Sequence, residues 1–154
     1  MQTTRNQSGV AAVEMALLLP FLLLLAFGLT ELGRAVYQYN ALAKAVRDGA
    51  RHLSQYAPGD PTSIAEARRL VLCARADTTD ADCANNALVA GMSLSYIHVY
   101  DRTTGSSYNL QETGRGTVNL VRVEVSGFAF RSLAPAFIPS VTFSPIHATM
   151  VQVL

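Results

Sequence analysis

The chain has 154 residues, which is enough for one domain and a membrane anchor. Charged residues make up only 15% of it, against roughly 25% in an ordinary soluble domain, and hydrophobic residues make up 50%. The formal net charge of +1 comes without the clustered basic face that nucleic-acid binding requires, so we expect no nucleic-acid partner.

The first nine residues form a short polar segment that leads directly into an apolar run. Arg5 is the only charged side chain among residues 1–9, and Glu14 is the only ionisable residue from Val10 to Thr30. A helix over such a run can cross a bilayer core of about 30 Å. The A-x-A type of site at which secretory signals are removed does not follow the run. We therefore predict an anchor that stays on the chain.

Glu14 lies near the start of this apolar run. A carboxylate there costs roughly 2.5 to 3.5 kcal/mol on insertion scales and is usually functional. Gly9 precedes Glu14 by five positions, so a cut after Gly9 makes Val10 the first residue and Glu14 the fifth. The alternative is that Glu14 only reaches the lipid headgroups from a position near the interface.

The sequence around this spacing resembles the opening of TadE-like proteins, which are minor pseudopilins of the tight-adherence (Flp) pilus. The spacing itself is that of type IV pilins and their relatives. The resemblance covers roughly residues 8–53 and departs at Met15, where the family usually has an aromatic residue. The matching stretches are Ser8–Leu17, Leu19–Pro20, Glu31–Ala35 and Ala45–Arg51.

This resemblance implies processing and assembly. A prepilin peptidase would cut after Gly9, and Glu14 of one subunit would pair with the free α-amine of Val10 in a neighbour. The chain would then be a minor pseudopilin of a type IVb/Flp-like pilus, supporting pilus assembly, adhesion and biofilm formation. Its partners would be the major pilin, other minor pseudopilins and the peptidase. The competing hypothesis is an uncleaved, membrane-anchored extracytoplasmic binding or sensory module.

An amphipathic pattern continues the helix beyond the apolar run, to about Tyr56. Pro20 lies inside the run, where a membrane helix tolerates proline with a kink. Small residues at Ala41, Ala45 and Gly49 would permit close approach of another backbone. The apolar stripe has coiled-coil spacing and consists of Leu32, Val36, Tyr39, Ala43, Val46, Ala50 and Leu53.

Residues 57–154 are predicted to form a head domain, so the chain divides into a leader (1–9), a helix (10–56) and this head. Asp60 is a candidate N-cap for a second helix over Pro61–Ala74. The polar stretch Asp77–Asn86 is predicted to be a loop. Cys73 and Cys83 are the only cysteines, and in an extracytoplasmic domain such a close pair most simply forms a disulfide. Two free thiols remain the alternative.

The rest of the head has the period of two that is typical of strands. A strand with both faces partly covered is predicted from Met92 to Tyr100, and a half-exposed strand around Val121, Val123 and Val125. Leu133–Ser140 is predicted to be irregular, and Val141–Leu154 to be a last strand interrupted at Pro145. The fold class is therefore α+β: a long, membrane-spanning, pilin-type helix packed by a small antiparallel-sheet head.

We expect no catalytic site, no metal and no cofactor. His52, His98 and His147 are scattered along the chain, and no Cys/His set, nucleophile motif or phosphate-binding loop accompanies them. The protein is therefore predicted not to be an enzyme. The expected location is the bacterial inner membrane, in a single pass, with the head periplasmic or extracellular. That orientation depends on the cysteine pair and on the resemblance.

Overall fold

A computed structural model of the chain describes residues 7–135 and 140–152, with side chains described from Gly9 onward. A long amino-terminal helix packs against a small antiparallel-sheet domain, which confirms the predicted α+β class. In chain order the elements are α1 (Gln7–Leu53), α2 (Pro61–Cys73), α3 (Asp80–Asn85), β1 (Ile97–Tyr100), β2 (Gln111–Thr113), β3 (Gly116–Val125), β4 (Ala129–Phe130), β5 (Val141–Thr142) and β6 (Ile146–Gln152).

Helix α1 has 47 residues and is about 70 Å long at 1.5 Å per residue. It begins at Gln7, before the predicted start at Val10, and includes Pro20. It ends at Leu53 rather than near Tyr56. The N–H of Ser54 still bonds to the carbonyl of Ala50, four residues earlier. Those of Gln55 and Tyr56 turn back to carbonyls only three residues earlier, which tightens the chain out of the α-helix.

The carboxyl-terminal half of α1 packs against the head, and its backbone comes close to α2 at Gly49. A Cβ atom placed on Gly49 would lie 2.8 Å from Cγ2 of Val71 and 3.3 Å from the carbonyl oxygen of Ala67, both in α2. The predicted role of the small residues in close packing is thus confirmed here. The α1 side chains buried in this core are Leu42, Ala45, Val46, Ala50 and Leu53.

The predicted apolar stripe is buried only over its second half. Val46, Ala50 and Leu53 lie in the core, whereas Leu32 is 61% exposed and Val36 is 51% exposed. The head leaves more than half of each of these two side chains open. The first half of the stripe, which contains Leu32 and Val36, therefore remains an apolar surface on α1.

Helix α2 begins as its sequence predicts. The Asp60 carboxylate accepts a hydrogen bond from the backbone N–H of Ser63 at 2.9 Å, and Pro61 occupies the first turn. The helix ends at Cys73, since Ala74 takes a left-handed conformation (φ 59°) and its N–H bonds to the carbonyl of Leu70. The predicted end was one residue later.

Strand β3 is the centre of the main sheet. Three strands pair with it, all antiparallel: β1 with residues 122–125, β2 with residues 116–118 and β6 with residues 119–125. Val121, Val123 and Val125 are buried, while Arg122 and Glu124 between them are partly exposed. The alternation predicted for this strand is confirmed.

Two predictions in the first part of the head are wrong. Asp80–Asn85, taken for loop, is a short helix, because the Thr79 hydroxyl accepts the backbone N–H of Asp82 at 3.1 Å and caps it. Leu94–Tyr96, taken for strand, is a 3₁₀ turn closed by the N–H of Tyr96 on the carbonyl of Ser93. Only Ile97–Tyr100 forms the strand expected there.

The predicted last strand is two strands in different sheets. β5 pairs with β4 in a separate two-stranded sheet, and β6 pairs with β3 in the main one. Pro145 lies between them. Because proline has no backbone N–H, it cannot donate a hydrogen bond to a neighbouring strand. Residues 136–139 of the predicted irregular connection, residues 153–154 of the predicted last strand, and residues 1–6 of the predicted leader lie outside the described residues.

Asp101 joins two loops of the head. It is only 2% exposed, and its carboxylate accepts the N–H of Gly59 at 2.7 Å and the N–H of Thr103 at 2.8 Å. Gly59 has φ +76°, a conformation that favours glycine. Burial alone would raise the pKa of Asp101, but the hydrogen bonds from Thr103, Gly59 and Thr104 outweigh it, so the pKa lies below its ordinary value.

Candidate functional site: the amino-terminal helix and its junction with the head

The peptide bond between Gly9 and Val10 lies within the first turn of α1, which begins at Gln7. A Cβ atom placed on Gly9 would meet nothing within 4 Å, so packing within the chain does not require glycine there.

Glu14 is exposed on α1, one helical turn after Val10 and on the same face. None of the ion pairs formed between described residues includes it. The structure brings Gly9, Val10 and Glu14 together at one end of the helix, far along the chain from the head. The carboxylate is thus accessible to a partner outside the chain.

The apolar run of α1 is not covered by the head. Every residue from Gly9 to Phe27 is exposed, including large side chains such as Phe21, at 72%. Within the described part of the chain, α1 is the one helix long and apolar enough to cross a membrane. Because burial of such surface is favourable, the run is a candidate membrane anchor.

A buried carboxylate marks the point at which the apolar run ends. Glu31 is only 6% exposed and accepts hydrogen bonds from Nη2 of Arg34 at 3.0 Å and from the backbone N–H of Leu133 at 3.1 Å. Arg34 in turn donates to the carbonyl of Arg131 and lies 4.4 Å over the ring of Phe130. This cluster, the Glu31 junction, holds the head to the helix directly beyond the anchor.

Sequence reasoning did not find the Glu31 junction. The spacing of three between Glu31 and Arg34 is a signal for an ion pair along a helix. Nothing local indicates the second set of partners, which lie about a hundred residues further along the chain.

The structure joins Cys73, the last residue of α2, to Cys83 in α3 by a disulfide, with the two Cα atoms 5.3 Å apart. An ion pair between Nη1 of Arg69 and Oδ1 of Asp80, at 3.2 Å, connects the same two helices. Together these links hold α3 against α2. Neither cysteine is free.

Two of the three histidines come closer together than their places in the sequence suggest. His98 on β1 and His147 on β6 both lie opposite Glu124 of β3 in the sheet register. The Glu124 carboxylate pairs with Arg122, at 2.5 Å, and the two histidines are two strand spacings apart, roughly 10 Å. His52 is distant from them and contacts Glu66. Within residues 7–135 and 140–152, no group of three or more His, Cys, Asp or Glu residues could hold a metal ion.

Residues 9–51 match the model of a protein family described as TadE-like protein. The match covers the helix with Gly9, Val10 and Glu14 and confirms the resemblance seen in the sequence. The head lies beyond the match. No curated protein and no solved structure matches the chain.

Proposed function

We propose that this chain is a minor pseudopilin of a tight-adherence (type IVb/Flp-like) pilus, cut after Gly9 by a prepilin peptidase. In this role it supports pilus assembly and, through the pilus, adhesion and biofilm formation. The observation that carries the proposal is the family match over residues 9–51. That match includes the residues on both sides of the proposed cut and Glu14, on a helix whose apolar surface the head leaves uncovered.

Processing would act at the first turn of α1. A peptidase needs its substrate in an extended form, so residues 7–10 must unwind before the cut. The cut frees an α-amine on Val10 and removes Arg5 with the leader.

Assembly would use the exposed Glu14. A carboxylate in a low-dielectric bundle is heavily penalised unless a cation pairs with it. The α-amine of Val10 in an adjacent subunit is such a cation. Pairing one with the other would favour a single stagger between neighbouring helices, so the charge pair would select the register of assembly and catalyse nothing.

The exposed half of the apolar stripe is the second feature that favours helical partners. Leu32 and Val36 continue the coiled-coil spacing of residues that are buried further along α1, yet the head leaves them open. We propose that helices of the major pilin and of other minor pseudopilins cover them. The disulfide favours a periplasmic or extracellular head, since structural disulfides persist in oxidising compartments.

One observation favours the competing function, an uncleaved anchor for an extracytoplasmic binding or sensory module. The Gly9–Val10 bond lies inside α1, and a helical peptide bond resists proteolysis until it unwinds. The mass of the native protein extracted from membranes distinguishes the two. A mature chain beginning at Val10 supports the pseudopilin, and a chain beginning at Met1 or Gln2 contradicts it.

A further inference from the structure

A groove runs between α1 and the small β4–β5 sheet, beside the Glu31 junction. It has a volume of about 240 Å³. Glu31 is its one ionisable lining residue, and the carboxylate of Glu31 is already bonded to Arg34 and Leu133. We call it the junction groove; the other residues that line it are Gly28, Leu32, Ala35, Phe130, Val141 and Phe143.

The position of the junction groove relative to the apolar run determines which layer of a bilayer the groove faces. Gly28 lies within the run Val10–Thr30, and Glu31 is the first charged residue after the run. The groove therefore begins at the depth of the hydrocarbon and ends at the level of the headgroups when α1 spans a bilayer. It is an apolar recess with one end toward acyl chains and the other toward water.

An exposed cation, Arg131, lies at the level of the watery end of the recess. Arg131 directly follows the lining residue Phe130, and its side chain is exposed, while its backbone carbonyl is held by Arg34. A guanidinium at the headgroup level pairs well with phosphate. Leu133, two residues further on, is 79% exposed at the same level.

We propose that the junction groove binds a membrane phospholipid, with an acyl chain along Gly28, Ala35 and Phe143 and with the phosphate at Arg131. A hydrocarbon chain is narrow and flexible enough to follow such a recess, whereas a helix of a second copy, about 10 Å across, would rest on its rim. The proposal rests on α1 spanning the membrane and is independent of pilus assembly.

Gly28→Leu is the variant that fills the junction groove. A Cβ atom at Gly28 meets nothing within 4 Å, so the larger side chain can enter the recess without disturbing the fold. Gly33→Leu is the matched control. It places the same side chain on an equally open helical glycine that does not line the groove.

The test uses the full chain in vesicles of phosphatidylcholine and phosphatidylglycerol that carry a photoactivatable group in the acyl chain. We expect crosslinks on Val141 and Phe143 of the head, as well as on the apolar run, when peptides are mapped by mass spectrometry. Gly28→Leu should lower the yield at Val141 and Phe143 severalfold, and Gly33→Leu should leave it unchanged. Arg131→Gln should reduce the preference for phosphatidylglycerol over phosphatidylcholine.

Three outcomes would overturn the proposal. The first is labelling confined to residues 10–30. The second is labelling of the head that Gly28→Leu leaves unaltered. The third is exclusion of the probe by a second copy, seen as disulfide dimers of an Ala35→Cys variant, or by the chain's own residues 136–139.

Discussion

The backbone N–H of Leu133 donates a hydrogen bond to the carboxylate of Glu31, 102 residues earlier in the chain, at 3.1 Å. The acceptor is the first charged residue after the apolar run, and the donor belongs to the part of the head between β4 and β5. The head is therefore attached to α1 at the point where the anchor ends, in addition to its packing near Gly49.

Glu31→Gln should loosen this attachment. The amide keeps one acceptor oxygen but removes the charge that pairs with Arg34, and hydrogen bonds to a charged group are stronger than those to a neutral one. We expect faster amide hydrogen exchange at Leu133 and through β4 and β5, with little change in β3. Glu112→Gln, on an exposed carboxylate of β2, is the control. Equal exchange in both variants would mean that the junction does not hold the head.

Gly9→Leu should block processing. The Cβ position at Gly9 is open, so the variant should fold and insert normally, and any effect must arise in the peptidase. Intact mass of the membrane-extracted protein should show Val10 first in wild type and an uncut leader in the variant. Gly33→Leu should be cut like wild type. A normally processed Gly9→Leu chain would place the cleavage determinant elsewhere.

Glu14→Gln should separate insertion from assembly. Removing a charge from the apolar run lowers the transfer cost, so insertion should be unchanged or improved. Surface pili counted by electron microscopy, and crosslinks to the major pilin, should fall sharply. Asp48→Asn removes an exposed carboxylate from the same helix and should retain pili. If the Glu14→Gln variant forms as many pili as the wild type, the assembly role is wrong and Glu14 is only a carboxylate that reaches the headgroups.

Removing the disulfide should destabilise the head. A closed loop of this size contributes roughly 2 to 3 kcal/mol, and the double variant Cys73→Ser, Cys83→Ser loses it. Urea unfolding of the detergent-extracted chain, followed by circular dichroism, measures the difference. In the native protein both thiols should resist alkylation until a reductant is added. Rapid labelling without reductant would argue against an oxidising compartment.

Acid should weaken the head through Asp101. The hydrogen bonds that hold its pKa below the ordinary 3.8 stabilise the fold while the carboxylate is ionised. That contribution is complete above the ordinary pKa and is lost as the pH falls through the lower pKa of the folded state. Asp101→Asn should be less stable at neutral pH and should flatten the acid limb of the stability curve, measured by thermal unfolding from pH 7 to pH 2. Asp48→Asn should leave that limb steep.

The helical part of the fold could be predicted because its signals are local. The apolar run from Val10 to Thr30 predicts a membrane-length helix, and the small residue Gly49 already indicates close packing. Asp60 followed by Pro61 places the start of α2 to the residue. The alternation around Val123 indicates which face of β3 is buried. In each case the sequence signal lies within a few positions of the residue concerned.

The parts that were missed depend on contacts between distant segments. β4 and β5 have two residues each, too few for a period of two to be visible, and they exist because they pair with each other. The partners of Glu31 are likewise set by the tertiary fold. Helix α3 is so polar that its composition resembles a loop, and its cap at Thr79 is its main local signal.

The two attachments of the head have a mechanical consequence. Glu31 and Gly49 are 18 residues apart on α1, which is about 27 Å along the helix axis. A force that pulls the head along this axis loads both attachments in shear at the same time, so the head cannot peel away one contact after the other. Tension applied to the head should therefore be transmitted to α1 without rotation of the head about either attachment. Loss of the attachment at Glu31 should leave the head held only near Gly49, so that it can rotate about that point.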